Sequence, residues 1–198
     1  MIGSSVVTPA WLEARLDDPA VVVAQIRYEP DEDDYADGHI PGARWWYWKH
    51  LLWHPTDREF ATPVQMAERL GAAGLTTTTT LVLYSGRNHY AMHAFWVLHE
   101  MLGHPDVRVL DGGKRRWALE RRPLTTEPPS ITPAVYRPPR VERDDSSRVG
   151  RDDVRAKLGS HGRVLIDART AEEFRGERVK PAPGFDHGAG AEATSPAR

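Results

Sequence analysis

The sequence contains no cysteine among its 198 residues. Disulfides, thiolate metal ligands and cysteine nucleophiles are therefore excluded from this chain. Long apolar runs are also missing, because no segment approaches the roughly 20 residues that a transmembrane helix needs. The amino terminus lacks a basic segment followed by an apolar one, so it does not resemble a secretory signal. Cytoplasmic localisation without membrane binding is the expectation that follows.

The sequence also lacks an excess of charge of one sign. The formal net charge is −2, which gives no electrostatic footprint for nucleic acid, and we expect no nucleic-acid partner. Hydrophobic residues make up 40% of the chain and charged residues 27%, as is ordinary for a soluble globular protein. Composition therefore excludes several partner classes and leaves the enzyme and binding-module classes open.

Strand and helix signals alternate along the first part of the chain. Thr8-Pro9 and Thr62-Pro63 each place a capping threonine before a proline, which is typical of a helix start. The run VVVAQI (21–26) is rich in β-branched residues, as in a strand buried on both faces. Further elements are predicted as a strand from Ala43, a strand at 81–84, a helix over about 90–102, a strand at 107–110 and a short helix within 111–120. The pattern predicts an α/β domain with a parallel sheet flanked by helices.

The pattern changes after the first domain, which we place at residues 1–122. Residues 123–148 are rich in proline, serine and threonine and predict an extended interdomain linker. Residues 149–198 restart the order with which the chain begins: cap, helix, turn, strand and arginine. Their Gly/Ala/Pro-rich tail lacks apolar runs and is expected to be disordered. One full domain followed by an incomplete second copy is the predicted organisation.

Three segments together resemble the tandem-domain rhodanese family, the thiosulfate and 3-mercaptopyruvate sulfurtransferases. They are YADGHIPGAR (35–44), LVLYSGRNHYAMHAFWVL (81–98) and VRVLDGGKRRWALERRPLTTE (107–127), and LIDARTAEEFRG (165–176) resembles the opening of the family's second domain. The resemblance implies that sulfane sulfur passes to a thiophilic acceptor through a cysteine persulfide, without a separate cofactor. It also implies that this cysteine lies in a strand-to-helix loop of the second domain, and that a first domain without it is a structural partner.

The resemblance also shows where this chain departs from the family. The elements that would follow Gly176, including a second GHIPGA-like turn and the cysteine loop, are not in the sequence, which we interpret as a truncated second copy. Glu173 stands where some members carry an arginine that contacts substrate. The family therefore predicts a sulfurtransferase, and the missing cysteine predicts that this chain is inactive.

The loop after the strand at 81–84 is the first-domain counterpart of the cysteine loop, with Ser85 about where the nucleophile would be. A polar loop between a strand and a helix directs backbone N–H groups inward and favours an anion. We therefore predict that it binds a small oxyanion such as thiosulfate or sulfate. The predicted anion-binding residues are Ser85, Gly86, Arg87, Asn88, His89 and Tyr90.

Other uses of these residues are less well supported. A serine nucleophile would need a base such as His89, oriented by Asp111, but the spacing of the G-x-S-x-G elbow is missing. His89 and His93 have the spacing of a zinc-binding pair but lack the glutamate and third ligand of such a site, so no metal is expected. The acidic run 29–35 is interpreted as a solvated loop.

Two further hypotheses stay open beside the sulfurtransferase. The chain could be a non-catalytic module that binds an anion or another protein, or a shortened product without function. The aromatic run at 45–48 together with Trp53 favours a core or an interdomain interface. Surface that the incomplete second copy leaves uncovered could mediate a protein contact or self-association.

Overall fold

The computed structural model describes residues 5–27, 34–57, 59–86 and 89–177, without the side chain of His89. The chain divides into two units, Met1–Arg148 and Val149–Arg198. The boundary coincides with the start of the predicted second copy. The subdivision of the first 148 residues into a domain and an interdomain linker stays a prediction.

A five-stranded parallel sheet forms the centre of the first unit. Its strands are β1 (Val6–Val7), β2 (Val21–Arg27), β3 (Arg44–Tyr47), β4 (Thr80–Tyr84) and β5 (Val107–Leu110). They lie in the order β1-β5-β4-β2-β3, which places β2 and β4 next to each other near the middle. The predicted α/β class with a parallel sheet flanked by helices is confirmed.

Helices follow β1, β3, β4 and β5, as is usual in parallel connections. In the first unit they are α1 (Pro9–Glu13), α2 (Trp48–Leu52), α3 (Pro63–Ala72), α4 (His89–Phe95), a π-helical continuation of α4 (Trp96–Met101) and α5 (Gly113–Leu119). The predicted caps form: Thr8 Oγ1 accepts from the N–H of Trp11 at 3.2 Å, and Thr62 makes a capping box with Gln65. The strand expected from Ala43 ends at Tyr47, where the aromatic run turns into α2.

Both faces of the sheet are covered, which explains why β2 is apolar almost throughout. Val22, Ala24 and Ile26 belong to one hydrophobic cluster, and Val23 belongs to a second cluster on the opposite face. Along β4, Leu81 and Leu83 join the first cluster and Val82 joins the second. The alternation follows from the strand period of two residues and agrees with a strand buried on both sides.

Residues 123–148 run as extended chain across the first unit, with an isolated bridge between Thr125 and His39 as their only strand-like pairing among the described residues. The N–H of Ala134 donates to the carbonyl of Gly71 at 2.8 Å. Tyr136 is buried and belongs to the main core cluster. The segment is thus fastened along its length to the unit that precedes it.

The second unit contains α6 (Arg151–Lys157) and α7 (Ala171–Phe174), and none of residues 149–177 is buried. The strand predicted between these helices is wrong for the described structure, because residues 161–168 form neither strand nor helix. A parallel strand is stable only beside a partner, and the described part of this unit supplies none. The tail predicted to be disordered begins after about residue 176, and residues 178–198 lie outside the described residues.

Candidate functional site

Two central strands end side by side at the carboxyl edge of the sheet. β2 ends at Arg27, β4 ends at Tyr84, and Gln25 lies opposite Tyr84 in the register. The described residues that follow β4 are Ser85 and Gly86, and Ser85 is almost fully buried. Parallel α/β sheets bind their ligands at this edge, in crevices outside the strand ends. The loop predicted to bind an anion therefore begins where the fold favours a site.

The carboxylate of Asp34 covers the end of β2. Its Oδ1 pairs with Arg27 Nη1 and accepts a hydrogen bond from Gln25 Nε2 at 2.9 Å. The side chains of Arg27 and Asp34 are 1% and 42% exposed, so one partner of this pair is buried and the other reaches solvent. In the acidic run interpreted as a solvated loop, Asp34 is thus partly exposed and also ion-paired, because burial of Arg27 requires a counter-charge. Residues 29–33 lie outside the described residues.

Lys114 approaches Asp34 from the first turn of α5. Its Nζ donates to the backbone carbonyl of Asp34, and its N–H lies 3.4 Å from the carbonyl oxygen of Ser85. Burial lowers the pKa of Lys114, the nearby Arg27 guanidinium lowers it further, and Asp37 opposes both effects. Two cations thus converge on the same place, one from the end of β2 and one from α5.

Gly86 completes this arrangement because its backbone lies against the Asp34 side chain. A Cβ built on Gly86 would stand 3.3 Å from Asp34 Oδ2, which is shorter than most contacts that Cβ atoms make in proteins. We call the group the sheet-edge cluster; its members are Gln25, Arg27, Asp34, Ser85, Gly86 and Lys114. Its charges are two cations and one carboxylate, held at the carboxyl ends of neighbouring strands.

The turn that follows Asp34 is fixed by the GHIPGA segment. The rings of Tyr35 and His39 stack with centroids 3.8 Å apart, and Tyr35 Oη donates to the carbonyl of Ala43 at 2.7 Å. The ring nitrogens of His39 lie 3.0 Å from the carbonyl oxygens of Tyr35 and Glu127. Asp34 therefore enters the sheet-edge cluster from a well-anchored turn.

The predicted anion-binding residues fall into three groups. Ser85 and Gly86 belong to the sheet-edge cluster. Arg87, Asn88 and the side chain of His89 lie outside the described residues. Tyr90 is partly buried and packs against the main hydrophobic core. The orienting partner suggested for a serine nucleophile, Asp111, is paired through its carboxylate with Arg116.

Sequence reasoning missed Gln25, Arg27 and Lys114 as site residues. The signal for the first two was present, because polar side chains at the end of an otherwise apolar buried strand point to a use at that edge. The sequence indicates a site role for Lys114 less clearly, because a lysine in a DGGKRR stretch is also typical of a solvent-exposed helix start. Its role depends on β5 and α5 lying beside the end of β4, which is a property of the sheet order.

The aromatic run, expected in a core or an interface, packs beside His93 in the second half of α4. Trp48, Trp53 and Trp96 are partly buried against the main core, and the His93 ring lies 5.6 Å from Trp48 between ring centroids. Burial lowers the pKa of His93. Within residues 5–27, 34–57, 59–86 and 89–177, no set of three or more His, Asp or Glu side chains could hold a metal ion. None of the described helices combines the length and apolarity needed to cross a membrane.

Comparison with known sequences identifies the domain type. Residues 8–120 match the family model of the rhodanese-like domain. The chain is 40% identical over 177 residues to the sulfur carrier protein TtuD of Thermus thermophilus, with 86% of this chain and 60% of that protein covered. It is 36% identical over 177 residues to a Saccharopolyspora erythraea protein provisionally named thiosulfate sulfurtransferase, covering 89% of this chain and 60% of that protein. The chain thus spans about 60% of the length of the curated relatives it matches.

Comparison with solved structures leads to the same fold. The crystal structure of SseA from Escherichia coli, described as a 3-mercaptopyruvate sulfotransferase with the rhodanese fold, superposes with a TM-score of 0.71. The two sequences are 26% identical, and the match covers 88% of this chain and 69% of SseA. Because the family model matches more than half of the residues and agrees with the observed sheet, this chain belongs to the rhodanese-like domain family.

Proposed function

We propose that these residues are the non-catalytic part of a rhodanese-family sulfurtransferase and do not themselves transfer sulfur. The observation that carries the proposal is Ser85 at the end of β4, in a chain of 198 residues without a thiol. Relatives named as a sulfur carrier and as a thiosulfate sulfurtransferase support the family activity as the context in which this domain works.

The chemistry explains why a serine does not replace the cysteine. In persulfide formation a thiolate attacks the sulfane sulfur of thiosulfate, a new S–S bond forms, and sulfite leaves with the electron pair of the broken bond. An alcohol is a much weaker nucleophile at neutral pH and requires an adjacent base. Ser85 is 1% exposed, and Asp111, the residue suggested to orient a base, is paired with Arg116.

We extend the proposal to the organisation of the chain. The first 122 residues form a complete rhodanese-like domain, residues 123–148 lead out of it, and residues 149–198 begin a second copy. The restart of the pattern after residue 149 and the match to relatives over 177 residues support this division. On this view the active cysteine of a related full-length enzyme is supplied by residues that this sequence does not contain.

A thiosulfate:cyanide assay on the purified chain tests the proposal. We expect thiocyanate formation equal to that of the heat-treated protein, with thiosulfate or 3-mercaptopyruvate as donor. A cysteine-containing family member, assayed in parallel, verifies that donor and acceptor are competent. Cyanide-dependent thiocyanate formation well above the heat-treated control would refute the proposal.

Oxyanion binding is a second candidate function, favoured by the approach of Arg27 and Lys114 to Asp34, beside the Ser85–Gly86 loop. Thiosulfate and sulfate carry the charge and the acceptor oxygens that these donors would use. Because Asp34 already neutralises part of the site, we expect binding in the millimolar range or weaker. Titration with sodium sulfate, with sodium chloride at matched ionic strength as control, should shift the amide resonances of Ser85 and Gly86. Identical spectra in the two salts would contradict this candidate.

A further inference from the structure

We propose that Asp34 is an internal anion that occupies an oxyanion site formed by Arg27, Gln25, Lys114 and the Ser85–Gly86 loop. Removing its carboxylate should open the site to a sulfate-like oxyanion and increase affinity. The inference rests on the proposed oxyanion binding and adds a specific residue that controls it.

The contacts of Asp34 are those that a bound oxyanion would make. One carboxylate oxygen faces both Arg27 Nη1 and Gln25 Nε2, the latter at 2.9 Å. The other oxygen faces the backbone of Gly86, 3.3 Å from where a Cβ would stand. Lys114 Nζ is held on the main-chain carbonyl of the same residue. The carboxylate thus engages two donors at the end of β2 and lies beside the loop that follows β4, while Lys114 of α5 binds the main chain of the same residue.

The burial of Arg27 explains why an anion is favoured at this site. Arg27 is 1% exposed, and an uncompensated buried charge is strongly destabilising. Lys114 adds a second positive charge, and its lowered pKa reflects both its burial and the proximity of Arg27. Without the Asp34 carboxylate, Arg27 would lose this counter-charge while the positive charge of Lys114 stays close by, and an anion from solution would replace the carboxylate.

The geometry of the donors selects the class of anion. Arginine presents a planar fork that matches two oxygens of a carboxylate, sulfate or phosphate, whereas lysine acts as a point charge. Gln25 is fully buried and contributes a neutral donor; its Oε1 has no hydrogen-bond partner among the described residues. A compact ion with three or more acceptor oxygens, such as sulfate or thiosulfate, could engage Arg27, Gln25 and Lys114 together, which chloride cannot.

The position of Asp34 allows an ion from solution to reach the site. Its side chain is 42% exposed while its partner arginine is buried, so an ion reaching the site from solution meets Asp34 first. In the native chain, only those molecules in which the Asp34 carboxylate has moved away can bind the ion. The apparent affinity for the ion is therefore the intrinsic affinity multiplied by the fraction of such molecules. We therefore expect the neutral variant to bind sulfate at least about tenfold more tightly than the native chain.

Asp34→Asn in the full chain is the first test, since it removes the charge and keeps the shape. Asp37→Asn is the matched control: Asp37 is exposed, lies three residues away and also carries a charge that Lys114 senses. Thermal unfolding and calorimetric titration are measured in sodium sulfate, sodium thiosulfate and sodium chloride at matched ionic strength. We expect Asp34→Asn to unfold at lower temperature in chloride and to be rescued selectively by sulfate and thiosulfate. The native chain and Asp37→Asn should show little selective stabilisation.

The double variant Asp34→Asn with Lys114→Met separates site formation from a general charge effect. Loss of the sulfate rescue in the double variant supports the proposal, and retention of the rescue overturns the assignment of Lys114. If Asp34→Asn is unfolded in chloride, recovery of its circular dichroism in sulfate supports the proposal, and failure to recover overturns it.

The outcomes distinguish this inference from the function on which it rests. If the native chain binds sulfate and Asp34→Asn binds no more tightly, oxyanion binding stands and the role of Asp34 is refuted. If neither the native chain nor Asp34→Asn prefers sulfate to chloride, both proposals fail. If only Asp34→Asn binds, the inference stands and the native site is closed by its own carboxylate.

Discussion

The phenol of Tyr136 and the imidazole of His104 form a buried hydrogen bond that fastens residues 123–148 to the first unit, with 2.7 Å between Oη and Nδ1. The Nε2 of His104 lies 2.9 Å from the carbonyl oxygen of Thr79. A carbonyl only accepts, so Nε2 carries the proton and Nδ1 accepts from the tyrosine. The neutral imidazole is therefore fully satisfied, and a segment predicted as linker contributes to the core.

Replacing Tyr136 with phenylalanine should destabilise the first unit. The substitution keeps the buried ring and leaves His104 Nδ1 without its donor, a loss of about 1–3 kcal/mol for a buried unsatisfied group. Urea unfolding followed by tryptophan fluorescence measures the effect. An unchanged midpoint and slope would show that the hydroxyl does not contribute to stability.

Stability should fall as the pH is lowered below about 6.5. Burial lowers the pKa of both His93 and His104 below the ordinary histidine value of 6.5, so the native state binds fewer protons than the unfolded chain. The free energy of unfolding then decreases from about the unfolded pKa downward and continues to decrease until the lowered native pKa is reached. Melting temperatures measured between about pH 7.5 and about pH 5.5 cover the start of this window.

Two variants identify the groups responsible for that pH dependence. His93→Phe removes an imidazole whose buried Nε2 has no hydrogen-bond partner among the described residues, and should reduce the pH dependence to the part due to His104 without loss of stability at neutral pH. His161→Gln, at an exposed position in the second unit, is the control and should leave the dependence unchanged. An unaltered slope in His93→Phe would show that this imidazole is not one of the titrating groups.

The close approach of residues 123–148 to α3 depends on Gly71. A Cβ there would stand 2.6 Å from the carbonyl oxygen of Ala134 and 3.3 Å from the nitrogen of Tyr136. Alanine normally improves a helix by about 1 kcal/mol over glycine. At Gly71 the contact with Ala134 should reverse the sign, and Gly71→Ala is expected to cost about 1–3 kcal/mol.

Ala72→Gly provides the matched comparison, because Ala72 is exposed on the same turn of α3 and reports helix propensity alone. Unfolding free energies of the two variants and the native chain give both effects. If Gly71→Ala is more stable than the native chain, residues 123–148 do not pack on α3 as described.

The second unit should associate through its apolar side chains. Val164, Leu165 and Ile166 are 85%, 71% and 81% exposed, a continuous apolar run on a surface. We expect concentration-dependent self-association, reduced by Leu165→Glu. Sedimentation velocity at several concentrations measures it, with Val141→Glu, at a 93% exposed position in the first unit, as the control. A monomer at every concentration would contradict the expectation.

Local chemistry explains which parts of the fold could be predicted from the sequence. Thr8 and Thr62 satisfy helix N–H groups within three residues of themselves, so their helices can be read without tertiary context. The two residues of β1 carry no such signal, because Val6 and Val7 become a strand only by pairing with β5. The segment 163–167 shows the converse: its apolar composition predicts a strand, and without neighbouring strands it does not form one.

The candidate site was only partly predictable for the same reason. Ser85 and Gly86 follow a strand directly, so the order of elements along the chain is sufficient to identify them. Asp34 lies in a run of acidic residues that resembles a solvated loop. Its role arises from the burial of Arg27 and from Lys114, eighty residues further along the chain. Charge compensation between distant residues is not encoded in local patterns.

The claim that these residues carry no persulfide chemistry is tested most directly by intact-protein mass spectrometry after incubation with excess thiosulfate. A persulfide adds one sulfur atom to the protein, and cyanide removes that atom. A cysteine-containing family member treated in the same way should show both the gain and the loss. For this chain we predict a mass that thiosulfate leaves unchanged. A gain of one sulfur atom that cyanide reverses would contradict the account.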